Sequence, residues 1–186
     1  MRYYKKFSVF LGLFAIACLA WAASNAMVVK HAELIPYDNY LALNADFEIS
    51  FGTPIEEAIK KGVPLSFLVE FQLVEPRRYW FDDEIVTTRK SINLSYHALT
   101  RQYLVSDDAH QKSFETLNEA RQQLMELRDW HVVEKNALDA ETDYQAALLI
   151  RLDKTKLPKA IQVDTISAEH WNIASPIYTW SIKDLK

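Results

Sequence analysis

Two short segments of this chain gather side chains that could recognise a partner or carry out acid–base chemistry. The first, residues 77–84, combines two arginines, three aromatic rings and three carboxylates. Arginine, tyrosine and tryptophan dominate binding hot spots, and the same rings could stack on a sugar. We therefore interpret four of these side chains as binding residues: Arg77, Arg78, Tyr79 and Trp80. In the structural alternative, Trp80 and Phe81 close one end of the fold while the charged groups stay in solvent.

The second segment, residues 96–103, reads Tyr-His-Ala-Leu-Thr-Arg-Gln-Tyr. His97 could act as a general acid or base, but no G-x-S-x-G motif supplies a nucleophile for it. The segment also fits a strand end, a short connection and a new strand, with the two tyrosines packed and Arg101 holding a carboxylate. As a binding surface it would use Tyr96, His97, Arg101 and Tyr103. We assign no catalytic residue.

The sequence offers no pattern for a metal or a cofactor. Acidic residues 82–84 are adjacent, whereas a calcium loop spaces its ligands at alternate positions and includes a glycine. The five histidines show neither H-x-x-x-H nor H-E-x-x-H spacing, and Cys18 is the only cysteine. We predict no metal and no cofactor, and we interpret residues 82–84 as a solvated acidic turn.

Residues 1–26 predict export, as a signal peptide or an N-terminal membrane anchor. A basic n-region precedes an apolar run over residues 7–23, and small-residue cleavage patterns end at Ala22 and Ala26. Cleavage would release a periplasmic protein. Without it, the uncharged stretch approaches the ~20 residues of a spanning helix and would anchor the protein in the inner membrane with its body in the periplasm. Lipidation of Cys18 is a third alternative, although the preceding residues lack the leucine of a lipobox.

Length and charge restrict the remaining functions. The residues after the leader suit a single domain over 27–186. Without the three n-region charges, 18 basic residues stand against 25 acidic ones, a net charge of −7. We therefore exclude nucleic acid as a partner, because phosphate contacts need clustered lysine and arginine. Membrane contact is expected only through an uncleaved N-terminal segment.

Period-two alternation of apolar residues predicts a mainly β protein of the α+β type. The pattern is clearest at 41–51, 65–73 and 144–152. Five further strands are predicted, at 85–96, 102–105, 130–134, 161–166 and 171–180. Because the strands do not alternate regularly with helices, the pattern indicates an antiparallel two-layer β-sandwich, immunoglobulin-like in general architecture.

One short and one longer helix are predicted in the connections of this sandwich. Residues 53–62 begin with a Thr-Pro-Ile-Glu capping box and end at Gly62, which suits the left-handed C-terminal position. The longer helix is predicted over 113–128, where apolar residues recur at spacings of three and four. Its predicted N-cap is Ser113.

Several blocks spread over most of the body carry a resemblance to a known family. They are Glu57-Ala58, 62–65, Arg77, Tyr79-Trp80, 95–103, Ser113-Phe114, Leu117, Ala120, 151–153, Leu157-Pro158, Trp171 and Ser175. With these blocks the chain resembles an uncharacterised family of bacterial exported proteins, the domain of unknown function 4390. Only the turn after Pro158 departs from it, since Ala160 and Ile161 stand where proline and leucine are expected.

The resemblance implies an exported or membrane-anchored protein with no assigned activity or cofactor. It also implies a gene neighbourhood that holds a ribosomal-RNA methyltransferase and a nitrogen-type two-component sensor kinase. That kinase is the envelope partner which the resemblance suggests, although a neighbourhood does not demonstrate an interaction.

Three functional hypotheses follow from the sequence. The first is a non-catalytic envelope protein that binds another protein, such as the sensor kinase. The second is a binder of glycan or a small ligand, which needs a groove lined by Trp80, Tyr103 or Trp130. The third is an enzyme, which needs titratable groups that converge in one pocket. Its available groups are His97, Asp82, Asp83 and Asp107. We prefer the first hypothesis and predict that the protein is not an enzyme.

Overall fold

A computed structural model describes residues 26–77, 82–139, 142–159, 161 and 169–182. The strands in these ranges form two antiparallel sheets, ordered β1-β2-β7 and β6-β5-β4-β3-β8-β9. Their bounds are β1 Ala26–Pro36, β2 Tyr40–Ser50, β3 Leu65–Glu75, β4 Asp83–His97, β5 Gln102–Ser106, β6 Gln111–Phe114, β7 Glu126–Glu134, β8 Tyr144–Leu152 and β9 Tyr178–Ile182. Helices α1 (Thr53–Lys60) and α2 (Leu117–Leu124) lie in connections between strands.

Alternating side chains of the two sheets meet in one hydrophobic core. Leu41 and Leu43 of β2 are fully buried, as are Phe67 and Phe71 of β3 and Leu148 of β8. Burial of each such side chain contributes about 1.5–3 kcal/mol of transfer free energy. The prediction of a mainly β, two-layer antiparallel fold is therefore confirmed, and its three clearest strands are β2, β3 and β8. The immunoglobulin-like detail stays a prediction.

Helix α1 confirms the predicted short helix but not its capping box. The N-cap is Gly52, which has no side chain to accept a hydrogen bond, and Pro54 lies in the first turn. Ile55 and Ile59 are fully buried and fix the helix to the core. Gly62 follows in the left-handed conformation, with φ of +85°. Burial of two isoleucines and the left-handed glycine therefore define this helix, rather than a side-chain cap.

The helix predicted at 113–128 is present but shorter than predicted, because both ends of that segment are strands. Ser113 lies in β6, where it pairs with Leu104 of β5, and residues after Met125 enter β7. The helix begins instead after Thr116, whose hydroxyl accepts a hydrogen bond from the Glu119 backbone N–H while the Glu119 carboxylate accepts one from the Thr116 N–H. Pairing with neighbouring strands outweighs the helical periodicity, so α2 has 8 residues, the same number as α1.

Two strands have no counterpart among the sequence predictions. In β1 the register shifts between Val29 and His31, so the buried residues change from odd to even positions and the alternation is broken. Strand β6 has only one apolar residue and lies at a sheet edge. The strand predicted at 161–166 falls outside the described residues after 161. The one at 171–180 is shorter than predicted, because β9 starts only at Tyr178.

The two ends of the sandwich differ in what they carry. We call one the leader end, because Ala26, the last residue of the predicted leader and the first described residue, pairs there with Ser50. Helix α1 and the connection between β4 and β5 lie at this end. The opposite, distal end holds the turn before Tyr40 and the connection between β3 and β4. None of the helices in the described ranges is both long and apolar enough to cross a membrane.

Candidate functional site

The first predicted segment forms the connection between β3 and β4 at the distal end. The backbone N–H of Arg77 donates to Asp82 Oδ1 at 3.0 Å, and its guanidinium pairs with Asp83. Glu84 accepts a hydrogen bond from the Gln72 side chain at 3.0 Å. Asp82 and Asp83 thus bond to Arg77 across the connection. The predicted acidic turn is therefore wrong in part, because Asp83 and Glu84 already belong to strand β4. The predicted binding residues Arg78, Tyr79 and Trp80, together with Phe81, lie outside the described residues.

The second predicted segment is a β-hairpin at the leader end. Strand β4 ends at His97, β5 begins at Gln102, and these two residues form the last pair of the ladder. We call residues 98–101 between them the hairpin tip. The predicted sequence of strand end, short connection and new strand is thereby confirmed.

The hairpin tip is ordered by local bonds, and it presents an apolar side chain to solvent. His97 Nδ1 lies 3.1 Å from the Thr100 hydroxyl oxygen, which spans the connection. Arg101 has a φ of +56°, a conformation that non-glycine residues rarely adopt. Leu99 is 92% exposed, the largest exposed fraction among the exposed large apolar residues of the described chain. The tip thus holds Leu99 away from the domain.

Behind the tip, Tyr96 and Tyr103 pack as predicted. Their ring centroids are 4.9 Å apart and their planes meet at 46°, within the distance range that aromatic pairs prefer. Partial burial raises the pKa of the Tyr103 hydroxyl, and the nearby Tyr96 and Glu56 raise it further. The two rings therefore form the base of the hairpin, not part of its exposed surface. In the structural alternative Arg101 holds a carboxylate, but it makes no ion pair with any described residue.

The two predicted segments cannot form one site, because they lie at opposite ends of β4. That strand has 15 residues, and at ~3.3 Å per residue its ends are about 45 Å apart. The length of β4 also separates the titratable side chains that an enzyme would need in one pocket. His97 lies at the leader end, and Asp82 and Asp83 at the distal end. Asp107 follows β5 and pairs with Lys90.

Sequence reasoning missed a cleft where the two sheets meet beside α2. Its volume is about 490 Å³, and its floor is formed by Ile92, Val105 and Leu127. Seven polar residues complete the lining: Lys90, Asp107, His110, Lys112, Gln123, Glu126 and Arg128. They come from both sheets and from α2, so no local pattern connects them. The sequence carries no signal for the cleft beyond the polar residues themselves, which lie on β4, α2, β6, β7 and the turn after β5.

The electrostatics of the cleft centre on a half-buried ion pair. Lys90 Nζ lies 2.8 Å from Asp107 Oδ2. The other oxygen, Oδ1, accepts hydrogen bonds from the backbone N–H groups of Ala109 at 3.0 Å and His110 at 2.7 Å. Partial burial would raise the pKa of Asp107, but these three partners outweigh it and lower the pKa to about 2. Asp107 is thus a carboxylate at neutral pH and anchors the turn that borders the cleft.

A second missed feature is an aromatic stack on the outer face of the three-stranded sheet. The ring centroids of Tyr37 and Tyr40 are 4.9 Å apart, and those of Tyr40 and His131 are 4.3 Å apart. The Tyr37 hydroxyl donates to Asp129 Oδ1 at 2.6 Å, and this hydrogen bond raises the pKa of Tyr37. Asp129 itself has a φ of +52° at a bulge of β7. The stack fixes the turn between β1 and β2 against β7.

Within the described part of the chain, no cluster of three or more histidine, cysteine, aspartate or glutamate side chains could hold a metal ion. The described site residues likewise form no group of titratable side chains around a nucleophile. What they form is a projecting hairpin at one end of the domain and a polar cleft along its side.

These features define the class of protein: an antiparallel β-sandwich domain with a projecting hairpin at one end and a polar cleft along its side. The chain belongs to the family known as domain of unknown function DUF4390, and the match covers residues 24–181. The resemblance stated from the sequence is thereby confirmed at the level of the family. No curated protein and no solved structure matches the chain.

Proposed function

We propose that this protein is a non-catalytic binding module of the bacterial envelope, which uses the hairpin tip to contact a membrane protein. The partner that the family resemblance suggests is the extracytoplasmic part of a two-component sensor kinase. The observation that carries the proposal is Leu99, which is 92% exposed at the apex of a hydrogen-bonded turn. Removing an exposed leucine from water contributes about 1.5–3 kcal/mol, a sizeable share of a protein contact.

The composition of the tip also suits a protein contact. Arg101 lies beside Leu99 and makes no ion pair within the described ranges, so its guanidinium remains available to a partner's carboxylate. Arginine is enriched at hot spots because it combines charge, planar hydrogen bonding and an apolar stem. The turn is held by the His97–Thr100 contact, so a partner would bind a surface that is already formed.

The position of the tip supports a partner in the inner membrane. The predicted leader joins the domain at Ala26, at the same end as the hairpin. If that leader remains as an anchor, the tip lies on the side of the domain nearest the bilayer. A membrane-bound kinase would then be reached without a long linker, and tethering would raise its effective concentration.

Photo-crosslinking in living cells tests this proposal. A photoreactive residue replaces Leu99, and any adduct is identified by mass spectrometry. The matched control places the same residue at Lys154, which is also exposed and lies near the leader end, in the short helix after β8. We expect a discrete adduct with a membrane protein from position 99 and none from 154. Equal labelling at both positions, or none at either, would contradict the proposal.

A further inference from the structure

The cleft beside α2 holds two charged groups that the domain itself does not pair. Lys112 Nζ donates to the neutral Gln123 Oε1 at 3.0 Å, and among the described residues it has no carboxylate within ion-pairing distance. Glu126 also lines the cleft and makes no ion pair with a described residue. By contrast, Lys90 is paired with Asp107, and Arg128 with Asp46. One ammonium and one carboxylate are therefore left over in the same cleft.

These two groups come from strands of different sheets. Lys112 belongs to β6 of the six-stranded sheet, and Glu126 belongs to β7 of the three-stranded sheet. They do not reach each other, since no ion pair joins them. A ligand that bridges them must therefore carry a negative group toward Lys112 and a positive group toward Glu126.

The floor between the walls is apolar. Ile92, Val105 and Leu127 are at most 7% exposed and lie at the bottom of the cleft. A ligand with an apolar side chain would cover them, because apolar surface gains free energy when it leaves water. The volume of about 490 Å³ falls within the range of small-molecule sites, roughly 300–1,000 Å³.

The paired residues keep this arrangement fixed. Asp107 holds Lys90 and the turn at Ala109 and His110, so its oxygens are occupied. Arg128 donates to the carbonyl oxygens of Ala45 and Leu127 and so joins the rim to β2. The walls are therefore braced before any ligand binds, which lowers the entropic cost of binding.

We propose that this cleft binds a small zwitterion with an apolar side chain, such as a free amino acid or a short peptide. Lys112 contacts the ligand's carboxylate, Glu126 contacts its ammonium group, and the floor contacts its side chain. The proposal is independent of the hairpin tip: the cleft and the tip share β4 and β5 but no lining residue. An experiment that contradicts the cleft proposal therefore does not contradict the proposal for the hairpin tip, and the reverse also holds.

Calorimetric titration of the exported protein, purified from the cell envelope, tests the proposal. The probes are the dipeptide L-alanyl-L-leucine, its N-acetylated form and its C-terminal amide. We expect the free dipeptide to bind saturably, and each blocked form to bind about 10-fold more weakly, because each lacks one charge-assisted hydrogen bond. If the free dipeptide does not bind, or if all three bind equally, the proposal is wrong.

Two variants assign the charges to their residues. Lys112→Gln should weaken binding of the free dipeptide about 10-fold but leave binding of the amide unchanged, because the amide has no carboxylate. Glu126→Gln should weaken binding of the free dipeptide about 10-fold but leave binding of the acetylated form unchanged, because that form has no ammonium group. Matched controls are Lys154→Gln and Asp143→Asn, at exposed positions outside the cleft lining. Losses of the same size in the controls would overturn the assignment. Thermal unfolding of each variant verifies that it is folded.

Discussion

The hairpin tip and the cleft lie along the same pair of strands, yet they differ in how their side chains are held. Leu99 at the tip is 92% exposed and is positioned only by its own turn. Leu127 at the cleft floor is 4% exposed and belongs to the common core. A projecting turn presents residues without depending on the core, whereas a cleft is built from residues on which the fold depends. Substitutions should therefore separate binding from stability at the tip and combine them in the cleft.

The largest expected effect is on the free energy of unfolding, and it is measured by a leucine-to-alanine substitution in the cleft and another at the hairpin tip. Leu127→Ala should lower the free energy of unfolding by about 2–5 kcal/mol, because it removes buried methyl groups and leaves a cavity. Leu99→Ala should change the free energy of unfolding by no more than about 0.5 kcal/mol, because the exposed side chain buries almost no surface on folding. Urea unfolding of both variants measures the difference. Similar losses at the two positions would break the distinction between tip and cleft.

A second effect concerns the ion pair of the cleft. Asp107→Asn keeps an oxygen for the backbone N–H groups of Ala109 and His110 but removes the charge that pairs with Lys90. We expect a loss of about 1–2 kcal/mol at neutral pH. Urea unfolding of the variant and the wild type gives this loss as the difference between their free energies of unfolding.

The pH dependence of that loss follows from the pKa of Asp107. The folded-state pKa of about 2 lies below the ordinary aspartate pKa of 3.8, so the unfolded state binds more protons between these two values. The contribution of Asp107 is therefore fully present above the upper value and lost as the pH falls toward the lower one. The difference between wild type and Asp107→Asn should shrink over this window. A difference independent of pH would show that the charge is not its cause.

A smaller effect is expected at the base of the hairpin. Gly62 has a φ of +85°, and a Cβ atom there would lie 4.0 Å from the Tyr96 carbonyl oxygen. Space is thus available, and the cost of Gly62→Ala comes from the backbone conformation, about 1 kcal/mol. Thermal unfolding measures it. A neutral or stabilising effect would mean that the connection after α1 readily adopts another conformation.

The sequence predicted the elements that follow a simple period. Strand β2 alternates from Leu43 to Ser50, and Gly62 after α1 takes the left-handed conformation that was predicted for it. Prediction failed where pairing between strands decides the structure. The helical period over residues 113–128 is real, but Ser113 pairs with β5, and Leu127 pairs with Ala45 of β2. A bulge near Lys30 hid β1 in the same way, because it reverses the parity of the buried positions.

The candidate sites show the same limit. Residues 96–103 are contiguous, so the hairpin and its packed tyrosines could be read from the sequence. The significance of Leu99 could not, because exposure of a leucine depends on the whole fold. Lys112 of β6 and Glu126 of β7 line the same cleft although their strands belong to different sheets. No spacing in the sequence predicts that these two residues lie in one cleft.

The central claim is that the hairpin tip contacts a membrane sensor kinase. Its most direct test is the affinity of this protein for the purified extracytoplasmic part of that kinase, measured with wild type, Leu99→Asp and the control Lys154→Glu. We predict that wild type and the control bind equally, and that Leu99→Asp binds at least about 10-fold more weakly, because a charge replaces the apolar contact. The claim is contradicted if wild type does not bind the kinase, or if Leu99→Asp binds as tightly as wild type.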